Sequence, residues 1–129
     1  MTFDDAQQIV ARAIAKAAAE FKRPICVSVC DRYGFLVAFA RQDGAPVRSV
    51  WIAQQKAFTA VRMGTSTAAF LERLRKDNLE AGWFGEGLVA LPGGSVIKNA
   101  AGEVDGGVGI SGLAAHEDQI IADAAAPSP

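Results

Sequence analysis

Two apolar runs in this 129-residue chain are each folded back on themselves by turn residues, and nothing else in the sequence constrains the fold as strongly. In the first, Ile25 to Val29 leads into Asp31-Arg32-Tyr33-Gly34 and returns through Phe35 to Ala40. In the second, Val96 to Lys98 and Val104 to Ile110 flank Asn99-Ala100-Ala101-Gly102. Glycine tolerates the backbone angles of a tight turn, and Asp31 suits one because its carboxylate can accept from backbone N–H groups just ahead of it. Short strands joined this closely pair antiparallel, as hairpins.

The segments around them have helical spacing. Phe3, Ala6, Val10, Ala13, Ile14, Ala17 and Phe21 predict a helix over 3–21, opened by Thr2 and Asp5 as a capping box with Asp in place of the usual Glu. Lys22-Arg23-Pro24 ends it. Over 47–63, Val50, Trp51, Gln54, Ala57, Phe58 and Val61 form one stripe that closes at Gly64. Thr65-Ser66-Thr67 opens a third helix carrying Phe70, Leu71 and Leu74. Residues 80–94 set Gly82, Gly85, Gly87, Pro92, Gly93 and Gly94 around Trp83, Phe84 and Leu88, the composition of a structured loop with one short strand. Residues 114–125 predict a last helix, and 127–129 a frayed tail. The order helix-hairpin-helix-helix-loop-hairpin-helix is that of an α+β fold, an antiparallel sheet of about five strands flanked by helices, in a single domain over 1–126.

Composition narrows the function classes. Half of the residues are hydrophobic, enough for a core without disulfide or metal staples, and a net charge of -1 argues against a nucleic-acid partner. The start of the chain lacks the basic-then-apolar pattern of a secretory signal, and no apolar run reaches the ~18 residues of a membrane span. Cys26 and Cys30 fall on one face of a strand, roughly 13 Å apart at ~3.3 Å per residue, too far to bridge. The expectation is a cytoplasmic protein with free thiols, no metal centre and no dinucleotide fingerprint.

Several residues carry candidate chemistry. Arg41 can hold a ligand carboxylate in its guanidinium fork, or pair with Asp43 to stiffen the turn. Lys56 on the second helix can anchor an anion, act as a base if desolvated, or extend to solvent. Gly93 and Gly94 after Pro92 can present consecutive amides to an anion, or simply turn a tight corner. Trp83 and Phe84 can form an apolar ligand wall, or serve as core or subunit interface. Glu117 and Asp118 suit the first turn of the last helix, and His116 is the chain's single histidine.

Taken together, Val29-Cys30-Asp31 with Gly34, Arg41 with Asp43-Gly44-Ala45, Lys56-Ala57 with Thr59-Ala60, Pro92-Gly93-Gly94, and Gly109-Ile110-Ser111-Gly112 with Asp118 resemble the heme-binding GlcG/HbpS-like family. That family also supplies the C-terminal domain of the cobalamin adenosyltransferase PduO, and the resemblance covers nearly the whole chain. It implies an antiparallel sheet flanked by helices, assembly into dimers or larger rings such as octamers, and binding of heme or related tetrapyrroles. Members that ligate heme iron through histidine would offer it from the first helix, yet residues 3–21 contain none. Where the family more often shows Ser-Gly-Gly-Thr, this chain has Ser111-Gly112-Leu113-Ala114.

The expected function is therefore an oligomeric protein binding heme or another carboxylate-bearing small molecule. Arg41, Asp43, Lys56, Trp83, Phe84, Gly93, Gly94 and Glu117 are the candidate contacts. The alternative is an enzyme of small organic acid or aromatic breakdown, a tautomerase, hydratase or lyase, with Lys56 or His116 as the acid/base, Arg41 as the carboxylate clamp and the Gly93 and Gly94 amides steadying an enolate. A purely structural assembly module is favoured if these residues are buried in ion pairs.

Overall fold

Thr2 and Asp5 form the capping box: the Asp5 amide donates to Thr2 Oγ1 at 3.1 Å and the Thr2 amide to Asp5 Oδ2 at 3.0 Å, starting α1 (Phe3–Glu20). The computed structural model describes residues 1–127, so part of the expected tail, residues 128 and 129, lies outside the described residues. After α1 come β1 (Cys26–Asp31), β2 (Leu36–Arg41), α2 (Ser49–Met63), α3 (Thr67–Asp77), a 3-10 turn (Ala81–Phe84), β3 (Gly94–Lys98), β4 (Val104–Ser111) and α4 (Ala115–Ala125).

Both hairpins form, and they join into one antiparallel sheet of four strands in the order β2-β1-β4-β3. The fifth strand expected within 80–94 is absent among the described residues. That loop makes the 3-10 turn instead, and the positive φ of Gly85 (137°) and Gly87 (79°) is incompatible with a regular ladder. In the first hairpin Asp31 Oδ1 accepts from the amides of Tyr33 (2.9 Å) and Phe35 (3.0 Å), which closes the turn.

Strand alternation gives the sheet two different faces. Val27, Val29, Val108 and Ile110 point to one side, where they pack with Ala6, Ile9, Ala13 and Ala17 of α1 and Ile121, Ala122 and Ala125 of α4. Each fully buried Val or Ile there is worth about 1.5–3 kcal/mol of transfer from water. Ser28, Cys30, Gly107 and Gly109 point to the other side, toward α2. An added Cβ at Gly109 would stand 2.0 Å from the Ala53 carbonyl oxygen, and one at Gly107 2.4 Å from that of Ala57. The backbone of α2 therefore lies directly on β4.

This contact corrects the stripe expected for α2. Its buried face is Ser49, Ala53, Ala57, Thr59 and Ala60, because only small side chains fit between a helix and a strand this close, together with Lys56, whose long side chain extends to Asp118 of α4. Val50, Gln54, Phe58 and Val61 are only half-buried, and Trp51 is 60% exposed. Cys26 and Cys30 are free and buried. No helix among the described residues is long and apolar enough to cross a membrane.

Candidate functional site

Lys56 is drawn into the sheet by the same close packing. Its side chain is almost wholly buried, and Nζ donates to the Ile110 carbonyl at 2.9 Å and to Asp118 Oδ2 at 3.1 Å. Asp118, in the first turn of α4, also accepts from the Leu113 amide at 3.2 Å through Oδ1. Burial pushes the Lys56 ammonium down and the Asp118 carboxyl up, and in each case the partner's opposite charge offsets only part of that push. Burial therefore outweighs the mutual attraction in setting the direction of both shifts.

The Gly93-Gly94 corner sits against this pair. A Cβ at Gly93 would meet the Ile110 carbonyl oxygen at 2.6 Å and Lys56 Nζ at 2.7 Å, so glycine is required by proximity as well as by its φ of 132°. The expectation that these amides receive an anion is corrected. Gly93 N–H donates to Gln119 Oε1 at 2.7 Å and Gly94 N–H to Thr67 Oγ1 at 2.8 Å, leaving neither free. Gln119 completes the corner by donating through Nε2 to the Gly94 carbonyl and to Ser95 Oγ, each at 3.0 Å. In the sequence Gln119 does not stand out, since a Gln on a helix is most often solvated, and Thr67 is marked only as part of a helix start.

The other candidate residues fall in two groups away from Lys56, one around Arg23 and one on the 3-10 turn. Arg41 and Asp43 line a shallow open cleft with Lys22 and Arg23 at the far end of β2, and among the described residues they form no ion pair with each other. Glu117 is bound by the Arg23 guanidinium at 2.7 Å and accepts from the Ala114 amide at 3.1 Å, contacts that hold its carboxyl below the usual range. It is committed to the α4 terminus. Phe84 packs edge-on against Phe70 with centroids 5.5 Å apart and carries the Arg73 guanidinium over its ring at 5.2 Å, whereas Trp83 is 66% exposed. His116 is exposed on α4, the helix that packs on the face of the sheet away from α2.

A different group of residues builds an apolar slot. α2 rests on β4 and β1, and between its outward side chains and the first hairpin lies a cavity of about 180 Å³. Phe35, Leu36, Trp51 and Phe58 supply its apolar walls, with Ser28 and Cys30 at the base. Gly34 (φ 89°) brings the hairpin turn onto the Phe58 ring, where a Cβ would come within 2.6 Å of Cδ1. The Arg62 guanidinium lies 5.7 Å over that ring. Burial raises the Cys30 thiol to about 12, the Gly107 amide offsetting part of the effect, so the sulfur is a protonated thiol at neutral pH. Trp51 and Phe58 belong to the helical stripe expected for α2, and the small residues Ala53, Ala57 and Ala60 facing the glycines of β4 are the sequence signal that turns that stripe outward.

Comparison with known proteins places this geometry in a family. The chain is 31% identical over 130 residues to the corrinoid adenosyltransferase PduO of Salmonella typhimurium, with 97% of this chain aligned. It spans about 38% of the length of that relative. It is 32% identical to an uncharacterised 15.0 kDa protein of Citrobacter freundii, covering 90% of this chain and 83% of the relative. Among solved structures, a PduOC:heme complex superposes with a TM-score of 0.84 at 29% identity, covering 97% of this chain and 91% of the other. A double variant of Streptomyces reticuli HbpS superposes with a TM-score of 0.87 at 31% identity, covering 98% and 84%. The family described as "Haem degrading protein HbpS-like" matches residues 1–127, and this chain belongs to that HbpS-like family.

Proposed function

We propose that this protein binds heme in the slot beside α2. The observation that carries the reading is an aromatic-walled apolar slot on a chain whose fold superposes on a protein solved with heme bound. A tetrapyrrole is larger than about 180 Å³, so one edge of the macrocycle enters and the rest lies on Phe35, Leu36 and Trp51, which are more than half exposed. Arg62 beside Phe58 is placed to pair with a propionate.

The residues present fit the macrocycle and not histidine ligation. No histidine lines the slot, and His116 is on the helix packed against the opposite face of the sheet. Cys30 is the one sulfur in the lining, and its thiol is protonated at neutral pH. Affinity then comes from apolar contact and from the propionates. Hemin titrated into the protein should give a saturable shift of its absorbance band, and iron-free protoporphyrin IX should bind within about tenfold of hemin. Absence of saturable binding by either compound at micromolar concentration overturns the reading, and binding by hemin alone overturns retention through the macrocycle.

The same reading makes the protein a cytoplasmic homo-oligomer, a dimer or a larger ring. Trp83, Leu91, Phe3 and Ile120 are exposed large apolar side chains outside the slot, which contacts between copies of the chain would cover. The buried free thiols Cys26 and Cys30 suit a reducing compartment. Light scattering at micromolar concentration should give a multiple of the 13.5 kDa chain mass, and a monomer at every concentration contradicts it.

A further inference from the structure

The N-terminal end of α2 borders a second cavity, of about 160 Å³, that shares no lining residue with the slot. Lys56 and Asp118 line it, Ser49 and Ser111 contribute hydroxyls, and exposed Arg48 and Leu91 mark its mouth. Ser49 is 1% and Ser111 5% exposed, yet among the described residues neither hydroxyl has a hydrogen-bond partner. No fully buried side-chain N or O atom lacks a partner among those residues, so both hydroxyls keep accessible surface, and both residues line the cavity. Lys56 uses its ammonium N–H groups on two protein acceptors, and a third remains. Arg48 forms no ion pair among the described residues. Two buried serines without a protein partner, lining a space bordered by cations, describe a site suited to a ligand that supplies acceptors.

The charges set its sign. Arg48 and Lys56 outnumber Asp118, and the positive end of the α2 dipole adds to them. Size and lining set the rest: about 160 Å³ is the volume of roughly five waters at ~30 Å³ each, and no aromatic side chain lines it to stack on a ring. We propose that this cavity is a binding site for a short organic acid, its carboxylate in the Arg48 guanidinium fork and its other polar groups on the Ser49 and Ser111 hydroxyls and Lys56. The leucines and Ile52 take the short carbon chain. Because no residue is shared with the slot, this site stands whether or not heme binds.

Lactate, its uncharged analogue lactamide and the longer octanoate are the probes, read by thermal melting and calorimetric titration against a chloride control at equal ionic strength. Lactate should raise the melting temperature saturably, while lactamide and octanoate leave it unchanged. Arg48→Ala alters an exposed side chain and so keeps the fold. It should weaken lactate at least tenfold, and Ser111→Ala should weaken it several-fold while hemin binding is unchanged in both. No saturable response to lactate up to about 10 mM, an equal response to lactamide, or full affinity in Arg48→Ala overturns the proposal.

Discussion

Lys56→Met should lower the stability of the protein by about 3–5 kcal/mol at pH 7, measured by urea denaturation, because it leaves the Asp118 carboxylate buried without its partner. The loss depends on pH. Asp118 has a folded pKa above its ordinary value of 3.8, so the stability it contributes is fully present below that value and is lost as pH rises through the raised one. Removing Lys56 removes the attraction that opposed this rise, so the difference between variant and wild type should shrink as pH falls from 7 toward 4. Lys56 itself is shifted down, so its contribution is present above its ordinary 10.5 and lost as pH falls through the lowered value. Both signs say that the charged pair at neutral pH is held by its surroundings rather than holding them. Lys56→Met combined with Asp118→Leu should therefore recover a large part of the lost stability, the remainder reflecting the Leu113 amide that Asp118 no longer accepts. Equal destabilisation in the single and double variants contradicts this view of the pair.

Gly109→Ala should be at least as severe, about 3 kcal/mol or more, or give no soluble protein, because one methyl group cannot fit 2.0 Å from the Ala53 carbonyl oxygen without lifting α2 off the sheet. The atom it meets is backbone, which cannot rotate aside as a side-chain tip can. Gly82→Ala is the control. Nothing stands within 4 Å of a Cβ there, and the change should fall within about 0.5 kcal/mol of wild type. A mild effect at Gly109 would mean that α2 does not lie on β4 as described, and the slot beside it would go with it.

Features set by neighbours in sequence were legible before the structure. The capping box of Thr2 and Asp5, the turn closed by Asp31 and the two hairpins each depend on residues within a few positions of one another. The face of α2 was not legible in the same way. Trp51 and Phe58 recur at helical spacing like core residues, and what excludes them is Gly107 and Gly109 on a strand some fifty residues later. The matching signal, Ala53, Ala57 and Ala60 at helical spacing opposite alternate glycines in a strand, was present but had to be read across that distance.

Gly93 and Gly94 show the same limit in the polar parts of the molecule. Two glycines after a proline expose their amides on paper, but Thr67 and Gln119 arrive from α3 and α4 and take both. Lys56 stood out as a lysine on an apolar helix side, while its partner Asp118 is 62 positions away and looked like a residue of a helix first turn. Arg41 and Asp43 share a cleft with Arg23, the partner of Glu117, whereas Trp83 and Phe84 lie together on the 3-10 turn, and neither group joins Lys56 in one site.

Heme in the slot beside α2 would be read out by equilibrium hemin titrations of four proteins: wild type, Trp51→Ala, Leu36→Asp and His116→Ala. Trp51 and Leu36 are more than half exposed, so their replacement keeps the fold while removing apolar wall or placing a carboxylate in it. The slot predicts at least tenfold weaker hemin in both of those variants and unchanged affinity in His116→Ala. Full affinity in Trp51→Ala and Leu36→Asp, with binding lost in His116→Ala, would contradict it.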